Sequence, residues 1–190
     1  MPNFDFIIVG LGNPGKEYDN SRHNTGFMAI DFIADKLGVQ IKNNKFKSLT
    51  CDAVIENHKV LLLKPQTYMN LSGQAVSNAM SYYKFSPDRV ILLFDDISLP
   101  VGRIRIRKSG SHGGQNGVKN IINLCGTNLF PRIRIGIDNK PNSFWDLADW
   151  VLSKFNKNDI EILNKCFDDV FEAIKLIINN NIDIAMNKYN

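Results

Sequence analysis

The chain has 190 residues, 44% of them apolar, with 22% charged and a formal net charge of +4. That length fits one domain over residues 1–190, and the apolar share is ample for a core, which excludes a disordered chain. The longest apolar runs, Val60 to Leu63 and Val90 to Phe94, fall far short of the roughly 20 residues a membrane-spanning helix needs, and the mild charge permits a polyanionic partner without requiring one.

Met1-Pro2-Asn3-Phe4-Asp5 lacks the basic region and cleavage site of a secretory signal, so none is expected. Phe4 to Gly10 reads as a buried first strand. The polar stretch Asn13 to Asn24 follows, and a helix is expected from about Thr25, capped by Asn24 or Thr25. Its apolar face is Phe27, Ile30, Ile33, Ala34 and Leu37, and it stops at Gly38. Leu49 to Ile55 and Lys59 to Leu63 read as a strand pair joined around Glu56-Asn57-His58. A loop from Lys64 to Asn70 leads to a helix over Ser72 to Tyr83. Arg89 to Phe94 is a second continuous apolar strand, ending in Asp95-Asp96. Arg103 to Arg107 and Arg132 to Ile137 alternate as strands with one polar face. Between them a Gly-rich loop, Ser109 to Gly117, precedes a short helix over Val118 to Leu124. A long amphipathic helix runs from about Asn158 to Ile178. Strands interleaved with helices over one domain length imply an α/β fold, its sheet covered by helices on both faces.

His23 is the first candidate for chemistry. It sits in a polar turn after a buried strand, and its ordinary pKa suits proton transfer near neutrality. Gly10-Leu11-Gly12-Asn13-Pro14-Gly15 has the spacing of a dinucleotide-binding turn, the mark of a nucleotide-dependent oxidoreductase. That motif needs a helix opening at the glycines, yet Lys16 to Asn24 has no apolar periodicity, so Pro14-Gly15 reads instead as a type II turn. Asp95-Asp96 at a strand end would suit Mg²⁺ in an ATPase, but no phosphate-cradling loop accompanies it. Such an aspartate also serves to orient a histidine, or simply ends a strand. The rows Arg103-Ile104-Arg105-Ile106-Arg107 and Arg132-Ile133-Arg134-Ile135 fit a nucleic-acid face, or a solvated strand whose charge blocks edge pairing. Asn116 in the Gly-rich loop offers a donor and an acceptor, whereas Asn70 serves equally as a helix cap or a substrate contact. Three widely spaced cysteines, Cys51, Cys125 and Cys166, without a Cys-x-x-Cys pair, argue for a reducing cytoplasm and against a disulfide framework or zinc site.

Taken together, Val9 to Gly15 with Tyr18, Arg22 to Gly26, Lys64 to Gly73, Asp95-Asp96 through Pro100-Val101-Gly102, and Gly113 to Gly117 resemble bacterial-type peptidyl-tRNA hydrolases over nearly the whole chain. The resemblance implies a single α/β domain with a twisted mixed sheet. It implies hydrolysis of the ester between a peptide's C-terminus and the tRNA 3′ ribose, which recycles peptidyl-tRNA dropped from ribosomes. By position, His23 is the catalytic base, Asp96 its orienting partner and Asn13 a catalytic amide. Tyr18, Tyr68, Met69, Asn70 and Asn116 contact substrate, and Arg105, Arg107 and Arg134 hold tRNA phosphates. No metal, no cofactor, no membrane and no obligate protein partner is expected, only peptidyl-tRNA bound by a cytoplasmic monomer. Gln115, Arg22 and Asp138 depart from the family's usual pattern. The non-catalytic alternative is an RNA-binding relative on the same fold.

Overall fold

The computed structural model describes residues 4–140 and 144–190. Seven strands form one mixed sheet in the order β2-β3-β4-β1-β5-β7-β6. Strand β1 (Phe6–Gly10) is central and parallel to both neighbours, β4 (His58–Pro65) and β5 (Val90–Pro100), and β5 is parallel to β7 (Arg132–Asp138). The outer strands are antiparallel: β2 (Asn43–Lys45) and β3 (Ser48–Ile55) on one side, β6 (Ile104–Arg107) on the other. The centre is continuous apolar sequence because helices cover both of its faces.

One face carries Ile8, Leu62, Ile91 and Leu93 against α1 (Thr25–Lys36) and α5 (Lys157–Ile178). The other carries Val9, Leu63, Leu92 and Phe94 against α2 (Ser72–Tyr83) and α3 (Asn116–Cys125). Two further helices, α4 (Leu147–Leu152) and α6 (Ile182–Tyr189), complete the described chain. Neither is foreshadowed by the sequence pattern, since both are too short to show a clear apolar period. Among the described residues no helix is long and apolar enough to cross a membrane.

Local chemistry sets the element ends. Helix α1 closes as the Schellman motif expects: Gly38 has φ 67°, and the Val39 amide reaches the Ala34 carbonyl at 3.0 Å. Glu56 and Asn57 both have positive φ, making the two-residue turn that matches the twist of β3 and β4. Strand β5 runs through Asp95 and Asp96 to Pro100, six residues past the expected end, because β7 continues to pair with it. On the outer edge, the Asn190 side chain pairs with both backbone groups of Ile106, covering β6.

Two glycines bring α1 against the sheet. A methyl group on Gly10 would lie 2.3 Å from the Gly26 carbonyl oxygen, and one on Gly26 would lie 2.3 Å from the Leu93 carbonyl oxygen. Backbone therefore touches backbone where β1, β5 and α1 meet. Gly10 and Gly12 serve this packing rather than a nucleotide, since only two single 3-10 turns, Lys16–Tyr18 and Arg22–Asn24, precede the first α-helix at Thr25. Gly15 has φ 119° and ψ 142°, so Pro14-Gly15 is not the type II turn its sequence suggests.

Candidate active site

The carboxyl ends of β1, β4 and β5 lie side by side, the place where parallel sheets open a crevice. Three connections converge there: the turn from β1 to α1, the turn from β4 to α2, and the Gly-rich loop before α3.

The turn Arg22–Asn24 presents His23 between two anchored neighbours. Behind it, Arg22 is buried, ion-paired with Asp159 at 3.3 Å, bonded to the Asn139 side chain and the Lys154 carbonyl, and stacked 3.9 Å over the Trp150 ring. Burial pushes the Arg22 guanidinium below its usual pKa, against the pull of Asp159. Ahead of it, Asn24 exchanges two hydrogen bonds with the Asn13 backbone, donating to its carbonyl and accepting from its amide. Asn24 occupies the cap position of α1, but its side chain is spent on Asn13 rather than on the helix.

His23 Nδ1 lies 2.8 Å from Asp95 Oδ2. A carboxylate only accepts, so Nδ1 carries the proton and Nε2 is the basic nitrogen. Burial lowers the His23 pKa, but the charge and hydrogen bond of Asp95 outweigh it, and the net displacement is upward. The expected partner was Asp96, and the structure corrects this. Neighbouring strand residues point to opposite faces. Asp95 shares the parity of Ile91 and Leu93, which pack on the α1 side where His23 lies. Asp96 instead approaches Arg134 Nε at 2.9 Å, an ion pair without hydrogen-bond alignment, and accepts from the Ser98 amide and hydroxyl.

His23, Asp95, Asp96 and Asn116 line a cleft of about 490 Å³. Arg134 and Gly113 also line it, and Ile97, Leu147, Val151 and Leu152 give part of its lining an apolar character. Asn13 is buried with its Oδ1 accepting from the Met69 amide at 2.7 Å, which leaves its NH₂ unpaired among the described residues. Met69 is itself buried, close to Gln115. Asn70 and Tyr68 are exposed at the β4–α2 turn, and Asn70 is not the α2 cap, a position held by Leu71. Tyr18 lies half-buried in the turn before Arg22, away from the cleft lining.

The arginines divide. Arg105 and Arg134 are register partners across β6 and β7, as are Arg107 and Arg132, while the intervening isoleucines are buried in the α5-side core. Arg105, Arg107 and Arg134 are half-buried and form a strip leading to the cleft. Arg132 does not belong to any exposed patch. It is buried, donates to the carbonyls of Phe130, Ser111 and Asn128, and burial beside Arg134 lowers its pKa to about 10. It remains a cation at neutral pH and ties down the Gly-rich loop.

The sequence reading missed Asp95, whose signal was strand parity, and the α4 wall, which left no periodic signal. Among the described residues no group of three or more His, Cys, Asp or Glu side chains is placed to hold a metal ion.

The model of the peptidyl-tRNA hydrolase family matches residues 7–190. The chain belongs to that family. It is 50% identical over 185 residues to a peptidyl-tRNA hydrolase of Clostridium novyi (strain NT), covering 97% of each chain. It is also 50% identical over 186 residues to one of Agathobacter rectalis, covering 97% of this chain and all of the relative. A crystal structure of peptidyl-tRNA hydrolase from Acinetobacter baumannii superposes with a TM-score of 0.89 at 38% identity, covering 97% of this chain and 94% of that one.

Proposed function

We propose that this chain carries out the family's reaction, hydrolysis of the ester joining a peptide's C-terminus to the tRNA 3′ ribose, with His23 as general base. The observation that carries the assignment is the 2.8 Å His23–Asp95 pair at the wall of an open cleft. Nε2 takes a proton from water as the water oxygen attacks the ester carbonyl carbon. The tetrahedral intermediate then expels the ribose oxygen, and the imidazolium returns the proton to it. Peptide acid and free tRNA result, and the base is regenerated.

An alkoxide leaves more readily than an amine, so one positioned base, worth typically ~10²–10⁴-fold, is adequate for this ester. The Asn13 NH₂, unpaired among the described residues, and the Asn116 amide are the donors suited to the developing oxyanion, each worth on the order of 10²–10³-fold. Asn70, exposed one turn away, contacts the 3′ end of the substrate, with Tyr18, Tyr68 and Met69 shaping that side. Arg105, Arg107 and Arg134 hold phosphates of the acceptor stem. The role that follows is recycling of peptidyl-tRNA by a single-domain cytoplasmic monomer.

Release of labelled N-acetyl-amino acid from N-acetyl-aminoacyl-tRNA tests the assignment. His23→Ala should abolish release while tRNA binding stays within a few-fold. Substantial residual turnover would show that another group is the base.

A further inference from the structure

Gln115 is almost wholly buried, and every polar atom of its side chain is engaged. Its Oε1 accepts from the Val118 amide at 2.8 Å, capping α3. Its Nε2 donates to Asp95 Oδ1 at 3.0 Å and points at Met69 Sδ at 3.1 Å. The amide cannot be turned round. A flip would set its oxygen against a carboxylate and its NH₂ against a backbone N–H. Asp95 is thus held at both oxygens, Oδ1 by Gln115 and Oδ2 by His23.

We propose that Gln115 is a positioning residue of the reaction, fixing the Asp95 carboxylate so that His23 keeps its proton on Nδ1 and its lone pair on Nε2. The inference rests on the general-base reading of His23. A neutral donor on Oδ1 draws negative charge away from Oδ2, so Gln115 moderates how strongly Asp95 favours imidazolium. It also ties the base to α3, because the residue that caps this helix immediately precedes Asn116. The other charged groups lining the same cleft are Asp96 from the strand of Asp95 itself, Arg134 from β7 and Asp146 at the start of α4, with Arg22 and Asp159 behind the turn.

Gln115→Ser separates the two jobs, since serine is a good helix cap but too short to reach Asp95. In this variant the acid limb of the kcat/KM–pH profile should move up by ~0.5–1 pH unit. At pH 7 kcat should fall roughly 3–10-fold with KM little changed, a small part of what the base supplies. Gln115→His, which restores a donor, should bring both back toward wild type. The His23 ring titration, followed by NMR of ¹⁵N-histidine-labelled protein without substrate, should shift in the same direction. An unchanged profile and an unchanged titration in Gln115→Ser would reduce Gln115 to a helix cap and overturn the proposal. Failure of the base assignment itself would be seen separately, as turnover by His23→Ala.

Discussion

At the scale of single residues, two adjacent aspartates do different work because a strand turns them to opposite faces. Asp95→Asn removes the charge that orients His23 and offers an amide able to donate to Nδ1, favouring the wrong tautomer. Hydrolysis should fall ~10²–10⁴-fold, as such tautomer errors cost elsewhere. Asp96→Asn should retain kcat within a few-fold and, by releasing Arg134 from its counter-ion, lower KM for tRNA. Equal losses in the two variants would contradict the assignment of roles. The displaced pKa of His23 also has opposite consequences for stability and rate. Because its folded value is raised, the pair stabilises the protein fully below the unfolded histidine's ~6.5, and that contribution is lost as pH rises through the folded value. The free base appears over the same interval, so kcat/KM should climb with an apparent pKa above that of free histidine while the wild-type advantage in thermal melting over His23→Ala declines.

At the scale of elements, the His23 turn is fastened to the α4–α5 segment by backbone, the Arg22 amide to the Ser153 carbonyl and the Phe155 amide to the Asn20 carbonyl, and by the Arg22 side chain. Arg22 reaches Asp159 at the start of α5, Asn139 after β7 and the Trp150 face on α4. Lysine keeps the charge but neither stacks nor forks, so Arg22→Lys should cost ~1–3 kcal/mol, read as a lowered midpoint in urea unfolding. Elements with long apolar periods were legible in the sequence: α2 spans Ser72–Tyr83 as expected, and α1 and α5 lie within a residue or so of their expected bounds. Helix α4 was not, because six residues beside an exposed loop carry no period and its one deeply buried residue, Trp150, answers to Arg22. His23 and Asn116 could be placed from sequence since glycine-rich and polar turns mark their surroundings. Asp95 could not be separated from Asp96 without knowing which helix covers which face.

At the scale of the whole molecule, the tRNA contact proposed for the arginine strip on β6 and β7 is electrostatic. Alanine at Arg105, Arg107 or Arg134 should raise KM and reduce the slope of log KM against log salt by about one phosphate contact each. Arg132→Ala should leave that slope unchanged and lower stability instead, because its guanidinium serves three carbonyls inside the fold. An alternating Arg–Ile pattern does not separate these cases, since β7 is covered by the Gly-rich loop along only part of its length.

The contact between Gly10 and Gly26 bears on all three scales. His23 sits three residues before Gly26, so the place of the proposed base is set by how closely one peptide backbone lies on another. No side chain there can rotate to relieve an added atom. One extra carbon in Gly26→Ala, which would favour helix formation in isolation, should push the start of α1 off the sheet and carry His23 away from Asp95. Activity should fall at least tenfold for a displacement near 1 Å, more than the loss of the large exposed ring of Tyr68. The reactive geometry is held by two missing methyl groups.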